Sequence, residues 1–485
     1  MTMKVLHISA ECYPAAKAGG LGDVVGALPK YLNKAKIDTA VVLPKYHTKW
    51  MMQQTFTEVY RGTIRLHQHF IPFAIELVNN EDLGYKMYVA NIPGKFDRPG
   101  VYADPGGGYY SDELERSLSF QHAVLNWLNW MEQKPALLHC HDHHTGLIPF
   151  LVKYSLEFNS LTNIPTVFTI HNGEYHGAFS WRNVHLLPPF YSNHSGLIDW
   201  DDAINPLAAG IKNSWKLTTV SPSYMEELRH KSNGLEWLLN NERPKSVGII
   251  NGIDSQVWDP KTDPFIAHKL GRSLAKYKAA NKAALHQRFH LNEDLPIFTF
   301  IGRLVREKGA ELLPDMISRY LYDGHRGAFI VLGSGDRRLQ DIFLSMKAHF
   351  GGHFDAAIEY NEGLAHQLYA GSDFLLMPSR VEPCGLNQLY AMRYATVPIV
   401  RSVGGLRDTV SDISEKNGRG IRFDHYHVND AYHALIRATS LYEDQKSFSA
   451  LQKRIHKLDF SWEQSAAQYL NIYQQLTHNF SHYAH

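Results

Sequence analysis

The stretch Ser379-Arg-Val-Glu-Pro-Cys-Gly-Leu-Asn-Gln-Leu-Tyr-Ala391 follows four apolar residues, Phe374 to Met377, and Pro378. An apolar run that short, closed by a proline, reads as a buried strand; Leu386 to Tyr394 then carries apolar residues at helical spacing. The loop between them holds Arg380, Glu382, Cys384 and Gly385. In an open parallel sheet, ligands collect beyond the carboxyl ends of strands, where the next helix turns its first amides outward. Gly385 lets backbone come close to a ligand, and Glu382 offers an acceptor-only carboxylate suited to hydroxyl donors.

Length extends the reading outward. A chain of 485 residues exceeds one ordinary core, so two or three domains are expected. Lys and Arg number 49 against 48 acidic residues, a net charge of +1 without a long basic run. Nucleic acid is therefore not expected as a partner, while local basic pockets for phosphate remain open. Cys12, Cys140 and Cys384 lie far apart without a Cys-x-x-Cys pair, which fits a reducing, cytoplasmic compartment. Met1 leads straight into a strand pattern at Val5, Leu6 and Ile8, and no apolar stretch is long enough for a bilayer, so neither leader nor membrane is expected.

Strand, polar or glycine loop, and helix recur along the chain. Lys4 to Ser9 is a predicted strand, and the loop Glu11 to Gly22 leads into a helix ending near Leu32. Gly19, Gly20, Gly22 and Gly26 miss the dinucleotide spacing G-x-G-x-x-G, leaving an anion site built on Lys17 and flexible amides. Thr39 to Leu43 is a further strand, and alternation between Tyr60 and Ile92 predicts antiparallel strands. After a long helix, Ser111 to Met131, comes Pro135-Ala-Leu-Leu-His-Cys-His-Asp-His-His144. His139 and His141 share one strand face, as two metal ligands could, but Asp142 falls one place early for His-x-His-x-Asp-His. No metal is assigned; Asp142 is read as a strand-end cleft residue. Thr166 to Ile170 ends similarly in His171-Asn172-Gly173, and Gly177 to Asn213 reads as an irregular, partly helical excursion. Leu217 to Val220 and Val247 to Ile250 complete a first domain, expected to end near residue 255 after Asn251-Gly-Ile-Asp254.

A second series starts at Ile297 to Ile301, where Arg303 and Lys308 bracket one strand-to-helix loop and can face one anion, a diphosphate by preference. Ala328 to Leu332, Ala356 to Tyr360, Phe374 to Met377 and Val397 to Val400 continue it, and Phe460 to Leu476 reads as a long amphipathic helix.

Taken together, Lys17-Ala-Gly-Gly-Leu21, His141-Asp142, His171-Asn172, Thr218-Thr-Val-Ser-Pro222, Asn251-Gly-Ile-Asp254, Gly302-Arg303 with Lys308-Gly309, Glu382-Pro-Cys-Gly-Leu386, Gly404-Gly-Leu406 with Asp408-Thr-Val410, and Asp459-Phe-Ser-Trp462 run nearly end to end. In this order and spacing the chain resembles bacterial glycogen synthases and plant starch synthases, which are retaining nucleotide-sugar glucosyltransferases. The resemblance implies an α/β fold of two facing Rossmann-like domains of the GT-B type, with an interdomain cleft and a C-terminal helix crossing back to the first domain. The domains would be 1–255 with about 460–485, on the acceptor side, and 256–459, on the donor side. It implies ADP-glucose as donor, an α-1,4-glucan such as glycogen as acceptor, no cofactor and no metal.

By the same resemblance, Arg303 and Lys308 would neutralise the leaving diphosphate and Glu382 would accept from glucose hydroxyls. Lys17 with Gly19 and Gly20 would close on phosphates, His171 and Asp142 would line the sugar pocket, and Asn251, Tyr360, Cys384, Gly385 and Leu386 would complete the donor site. Retention would follow front-face attack by the acceptor 4-hydroxyl. Tyr390 stands where related transferases carry a second glutamate. His143, His176, Ala208 and Trp237 depart from the family pattern, all in the first domain, so acceptor preference is where this chain would differ. Three rival readings are a related GT-B transferase with another donor or acceptor, a weakly catalytic glucan-binding scaffold, and a metallohydrolase on His139, His141 and His144.

Overall fold

The computed structural model describes residues 3–104 and 108–481. The last residues of the segment expected to rejoin the first domain, 482–485, lie outside them. The chain forms two compact units: Met1–Val220 with Met225–Ile249 and Trp462–His485, and Ser221–Tyr224 with Ile250–Ser461.

Among the described residues, the first unit is built on nine strands. They are β1 (Lys4–Ile8), β2 (Asp38–Pro44), β3 (Phe56–Leu66), β4 (His69–Val78), β5 (Lys86–Asn91), β6 (Leu137–His141), β7 (Thr166–Ile170), β10 (Lys216–Thr219) and β11 (Ser246–Gly248), with a separate hairpin of β8 (Asp199–Trp200) and β9 (Ala203–Ile204). The order is β11-β10-β7-β6-β1-β2-β5-β4-β3. β1, β6 and β7 are buried along nearly their whole length, as expected of parallel strands covered on both faces, and pair in parallel at the centre. β3, β4 and β5 form the antiparallel extension, with β5 joining β2 in parallel.

The helix Gly20–Lys34 buries Val24, Leu28, Tyr31 and Leu32 against Trp462, Ala466, Tyr469, Ile472 and Tyr473 of the C-terminal helix Trp462–Ser481. That packing returns the end of the chain to the first unit. The excursion 177–213 contains two 3-10 turns, the β8–β9 hairpin and the helix Pro206–Asn213, whose first turn is capped by Asn205 accepting from the Ala208 amide at 3.0 Å.

The second unit has six parallel strands: β12 (Ile297–Ile301), β13 (Ala328–Leu332), β14 (Phe354–Ala357), β15 (Phe374–Met377), β16 (Val397–Arg401) and β17 (Ile421–Phe423), in the order β14-β13-β12-β15-β16-β17. The sequence β12–β15 skips two strands, so the sheet reverses its winding between them, which is where an open α/β sheet opens a crevice. The chain enters this unit at Ile250, earlier than the expected residue 255, because Asn251–Asp254 already belongs to it: the Ile253 amide donates to the Phe460 carbonyl at 2.9 Å. Ser221–Tyr224 belongs to it as well. Ser223 donates from its amide and hydroxyl to the Asp408 carboxylate at 2.8 and 2.7 Å, and Ser221 Oγ donates to the Pro383 carbonyl at 2.6 Å.

Candidate active site

At the carboxyl end of β12 the chain does not enter a helix directly. Two 3-10 turns, Arg306–Lys308 and Ala310–Leu312, hinge on Gly309 before the helix Leu313–Tyr322. Gly309 sits in the left-handed region (φ 71°), and a Cβ there would lie 2.0 Å from the Pro378 carbonyl oxygen. This close approach joins the loop after β12 to the loop after β15, and the Arg380 amide completes the join by donating to Glu307 O at 2.9 Å. Lys308 Nζ consequently reaches both carboxylate oxygens of Glu382, at 2.7 Å each, and Ser379 Oγ donates to Glu382 Oε2 at 3.0 Å. Glu382 is buried, with its side chain 5% exposed, while Lys308 is about a third exposed (31%), so the ammonium is the more open member of the pair. Arg303, two residues beyond β12, is exposed at the same strand end.

Loops after β15 and β16 are locked together by glycine. The Gly405 amide donates to the carbonyls of Glu382 and Pro383, both at 3.1 Å, and a Cβ at Gly404 (φ 45°) would meet Glu382 O at 2.0 Å. Cys384 is buried, and burial pushes its thiol up to about 12, so it is a packing residue and not a thiolate nucleophile. Gly385 (φ 76°) turns the chain into the helix Asn387–Arg393. Buried Gln388 pins the turn by donating to Cys384 O, Gly385 O and Thr409 Oγ1 at 3.0 to 3.1 Å. Asn251 is buried in this unit, whereas Tyr360 is 85% exposed beyond β14. Leu386 precedes the helix start and packs against the core of the unit.

In the first unit, Asp142 follows β6 with φ 56° and accepts from the His171 amide at 2.7 Å and the Asn172 amide at 3.4 Å. The ends of β6 and β7 are thereby clipped together. Burial pushes the Asp142 carboxyl up to about 7, against the lowering effect of those amides. His171 Nε2 lies 2.9 Å from His141 Nδ1, and His141 Nε2 lies 3.0 Å from His7 Nδ1. His139 bridges Tyr473 OH and Thr169 Oγ1, both at 2.6 Å. Burial holds His7 and His171 down at about 3, and His139 and His141 well below their ordinary range, so all four are neutral imidazoles.

The metallohydrolase triad is not assembled. The histidine that joins His139 and His141 is His7, from the neighbouring strand in register with His139, while His144 stacks on Tyr102 with ring centroids 4.8 Å apart. Among His7, His139 and His141, ring nitrogens that a metal would need are engaged with one another or with hydroxyls.

The glycine loop before the helix Gly20–Lys34 is organised by Glu11, which sequence reading passed over. Its Oε2 accepts from the Ala18 and Gly19 amides at 2.6 and 2.9 Å, and its Oε1 accepts from Tyr102 OH at 2.7 Å. Lys17 is exposed and pairs with Asp23 at 2.7 Å. The Gly19 amide is committed to Glu11 and is not a free donor of the loop. Ser379, Gly309 and Asp408 were also missed as site-forming residues. Only a short-range signal existed for Ser379, a hydroxyl three residues before a loop carboxylate.

Each of the two units is an α/β unit on a mainly parallel sheet, and together with the family matches below they make the chain a glycosyltransferase of the GT-B class. Residues 4–241 match the family described as starch synthase catalytic domain, and residues 281–455 match glycosyl transferases group 1. A glycogen synthase of Flavobacterium johnsoniae is 45% identical over 473 residues, spanning 97% of this chain and 98% of its own. One from Anoxybacillus flavithermus is 36% identical over the full length of both chains. The catalytic domain of starch synthase IV from Arabidopsis thaliana, solved with ADP and acarbose, superposes with a TM-score of 0.86 at 31% identity, covering 98% of this chain and 100% of that one. The chain belongs to the glycogen synthase and starch synthase family.

Proposed function

We propose that the protein transfers glucose from ADP-glucose to the non-reducing 4-hydroxyl of an α-1,4-glucan, with retention of configuration. The observation that carries this reading is the Lys308–Glu382 pair, held between the loops of β12 and β15. The relative solved with ADP and acarbose, a nucleotide and a glucan-like sugar, supports it.

As the glycosidic bond breaks, negative charge grows on the departing diphosphate. The Lys308 ammonium has three donors, two of them spent on Glu382. The third is preorganised for a phosphate oxygen, and Arg303 adds a planar, permanently charged donor from the same strand end. Removing one such donor costs on the order of 3 kcal/mol in transition-state stabilisation. Glu382 orients Lys308 and accepts from glucose hydroxyls. With both its oxygens engaged, it is a poor candidate for the nucleophile that a double displacement needs. Front-face attack by the acceptor hydroxyl therefore fits this carboxylate best. Asn251, Tyr360 and the turn Cys384–Leu386 are assigned to the donor site. Asp142, His171, Lys17, Gly19 and Gly20 are assigned to sugar and phosphate oxygens from the first unit, with neutral His171 able to donate to or accept from a hydroxyl.

Extension of maltotetraose with release of ADP, followed by proton NMR of the new linkage, tests the proposal. An α-1,4 signal lost in Lys308→Met supports it; a β linkage, or full turnover in Lys308→Met, would overturn the mechanism. A purely glucan-binding scaffold is disfavoured by the intact Lys308–Glu382 pair.

A further inference from the structure

The helix Glu113–Trp130 lies against the turn that follows β6 and touches it at one-turn intervals. Ser117 Oγ donates to the His144 carbonyl at 3.4 Å, and Gln121 Oε1 accepts from the Leu147 amide at 3.0 Å. Residues four apart share a helix face, so Glu113, which opens the helix, stands on that same face one turn earlier. Glu113 is exposed, and its carboxylate makes no hydrogen bond or ion pair among the described residues.

The turn itself, His143–Thr145, carries two imidazoles with ring centroids 3.7 Å apart. His144 stacks on Tyr102, and both of its ring nitrogens are shut off from solvent without a hydrogen-bond partner among the described residues. A neutral imidazole has one donor and one acceptor nitrogen, and burying both bare forfeits two bonds to water for nothing in return. His143 is fixed from its other side. Its ring donates to the Tyr175 carbonyl, and Gly177 backs it so closely that a Cβ there would lie 2.5 Å from His143 Cδ2. One nitrogen of His143 is thereby spent on orienting the ring and the other is left over, which is how a metal-bound imidazole is usually held.

Glu113, His143 and His144 each offer one ligand atom, and the three atoms lie within 4.8 Å of one another. Ligands at about 2.0–2.2 Å from one tetrahedral zinc ion stand roughly 3.4 Å apart, a closure that the exposed arm of Glu113 can supply. A void of about 20 Å³ adjoins the three, lined by Tyr102, Glu113, Arg116, Ser117 and His144 among others. It has room for one water, the fourth ligand. Arg116 is the cation beside it, with its guanidinium bound to the carbonyls of Lys95 and Val101 at 2.9 Å each. A fixed cation repels a metal ion, so a carboxylate must offset it, and Glu113 is placed to do so.

We propose that Glu113, His143 and His144 bind a divalent transition-metal ion, zinc being the best match to two imidazoles and one carboxylate. The ion ties the first turn of the helix to the turn after β6 and takes no part in glucose transfer. Asp142, which clips β6 to β7 through the His171 amide, immediately precedes His143, so the tie braces that clip as well. His143 is one of the positions at which the chain departs from the family pattern, which makes the site a feature of this chain rather than of the family. Magnesium, which prefers oxygen ligands throughout, is a poor match.

The test is calorimetric titration of the full-length protein, first stripped with EDTA, with zinc chloride and in parallel with magnesium chloride. Cobalt(II) in place of zinc reports the ligand geometry through its visible absorption. We expect one zinc per chain, no response to magnesium, and a first melting transition raised by about 5 °C at a hundredfold excess over Kd. Glu113→Gln and His143→Gln should each weaken zinc binding about tenfold or more and change the cobalt spectrum. Glu113→Gln removes an exposed charge, so its metal-free melting temperature and turnover should match the wild type. Zinc binding undiminished in both variants would place the ion elsewhere and overturn the proposal. So would several weak zinc sites with none stoichiometric, or no binding at all. None of these readouts depends on transfer from ADP-glucose.

Discussion

Lowering the pH from 7 to 5 should destabilise the first unit, through imidazoles that cannot accept a proton where they are. His7, His122 and His171 are buried, with His7 and His171 held at about 3 and His122 at about 4, burial being the leading cause in each. In the unfolded chain each would titrate near 6.5. Their depressed folded values mean that full stability is present above the unfolded value and is lost as pH falls below it. At about 1.36 kcal/mol per unit, each costs roughly 2 kcal/mol by pH 5, or about 6 kcal/mol for the three. Asp142 acts in the opposite sense. Its folded value of about 7 lies above the ordinary 3.8, so its penalty is greatest above pH 7 and is relieved on acidification, returning about 2 kcal/mol by pH 5. The net is a loss of roughly 4 kcal/mol, before His139 and His141 add to it in the same direction. For a unit of this size that corresponds to a fall of about 10 °C in melting temperature. Scanning calorimetry of the intact protein at the two pH values reads it. An unshifted first transition, or proton NMR titration of His7 and His171 near 6.5 in the folded protein, would show that burial does not hold these imidazoles neutral.

Other perturbations have equally definite outcomes. Lys308→Ala and Glu382→Ala should each lower turnover by about a hundredfold or more with the fold intact by circular dichroism; near-normal turnover in both would dismiss the assignment. Gly309→Ala forces a side chain into positive φ and against Pro378 O, so it should destabilise the second unit by about 2 kcal/mol or more in urea melts and also cost activity. A neutral change in both readouts would mean that the two loops are not locked. Lys278→Met should destabilise by about 3 kcal/mol or more, because it strips a buried ammonium from the carbonyls of Ala370 and Ser372 and the hydroxyl of Thr396, each at 2.8 Å. Wild-type stability in that variant would show these acceptors to be satisfied otherwise.

The strands and the polar loops that end them were legible because parallel strands covered on both faces leave uninterrupted apolar runs, as in β7, β12 and β13. The helix Leu274–Phe289 was not, since its buried face includes Lys278 and Asn281 and so hides the apolar stripe that marks a helix. Glu382 and Lys308 could be proposed separately, each from its own loop. Their pairing spans 74 residues and depends on Gly309 allowing backbone contact with Pro378, a long-range event with no local signature. The same limit hid His7, which reaches His141 only through the β1–β6 register, and Glu11, whose hold on the Gly19 amide changes what the glycine loop can offer a ligand. Ser221 and Asp408 stood inside motifs that carried the family resemblance, but their structural task is visible only as the bonds fixing Pro383 and Ser223.

The most direct test of the central claim is transfer of labelled glucose to glycogen from ADP-glucose and, in parallel, from UDP-glucose, with Glu382→Ala as control. Label should enter α-1,4-linked polymer from ADP-glucose, at a rate above that from UDP-glucose, and be lost in the control. Preferential use of UDP-glucose would contradict the donor assignment, and no transfer from either donor by the folded wild-type protein would contradict the account as a whole.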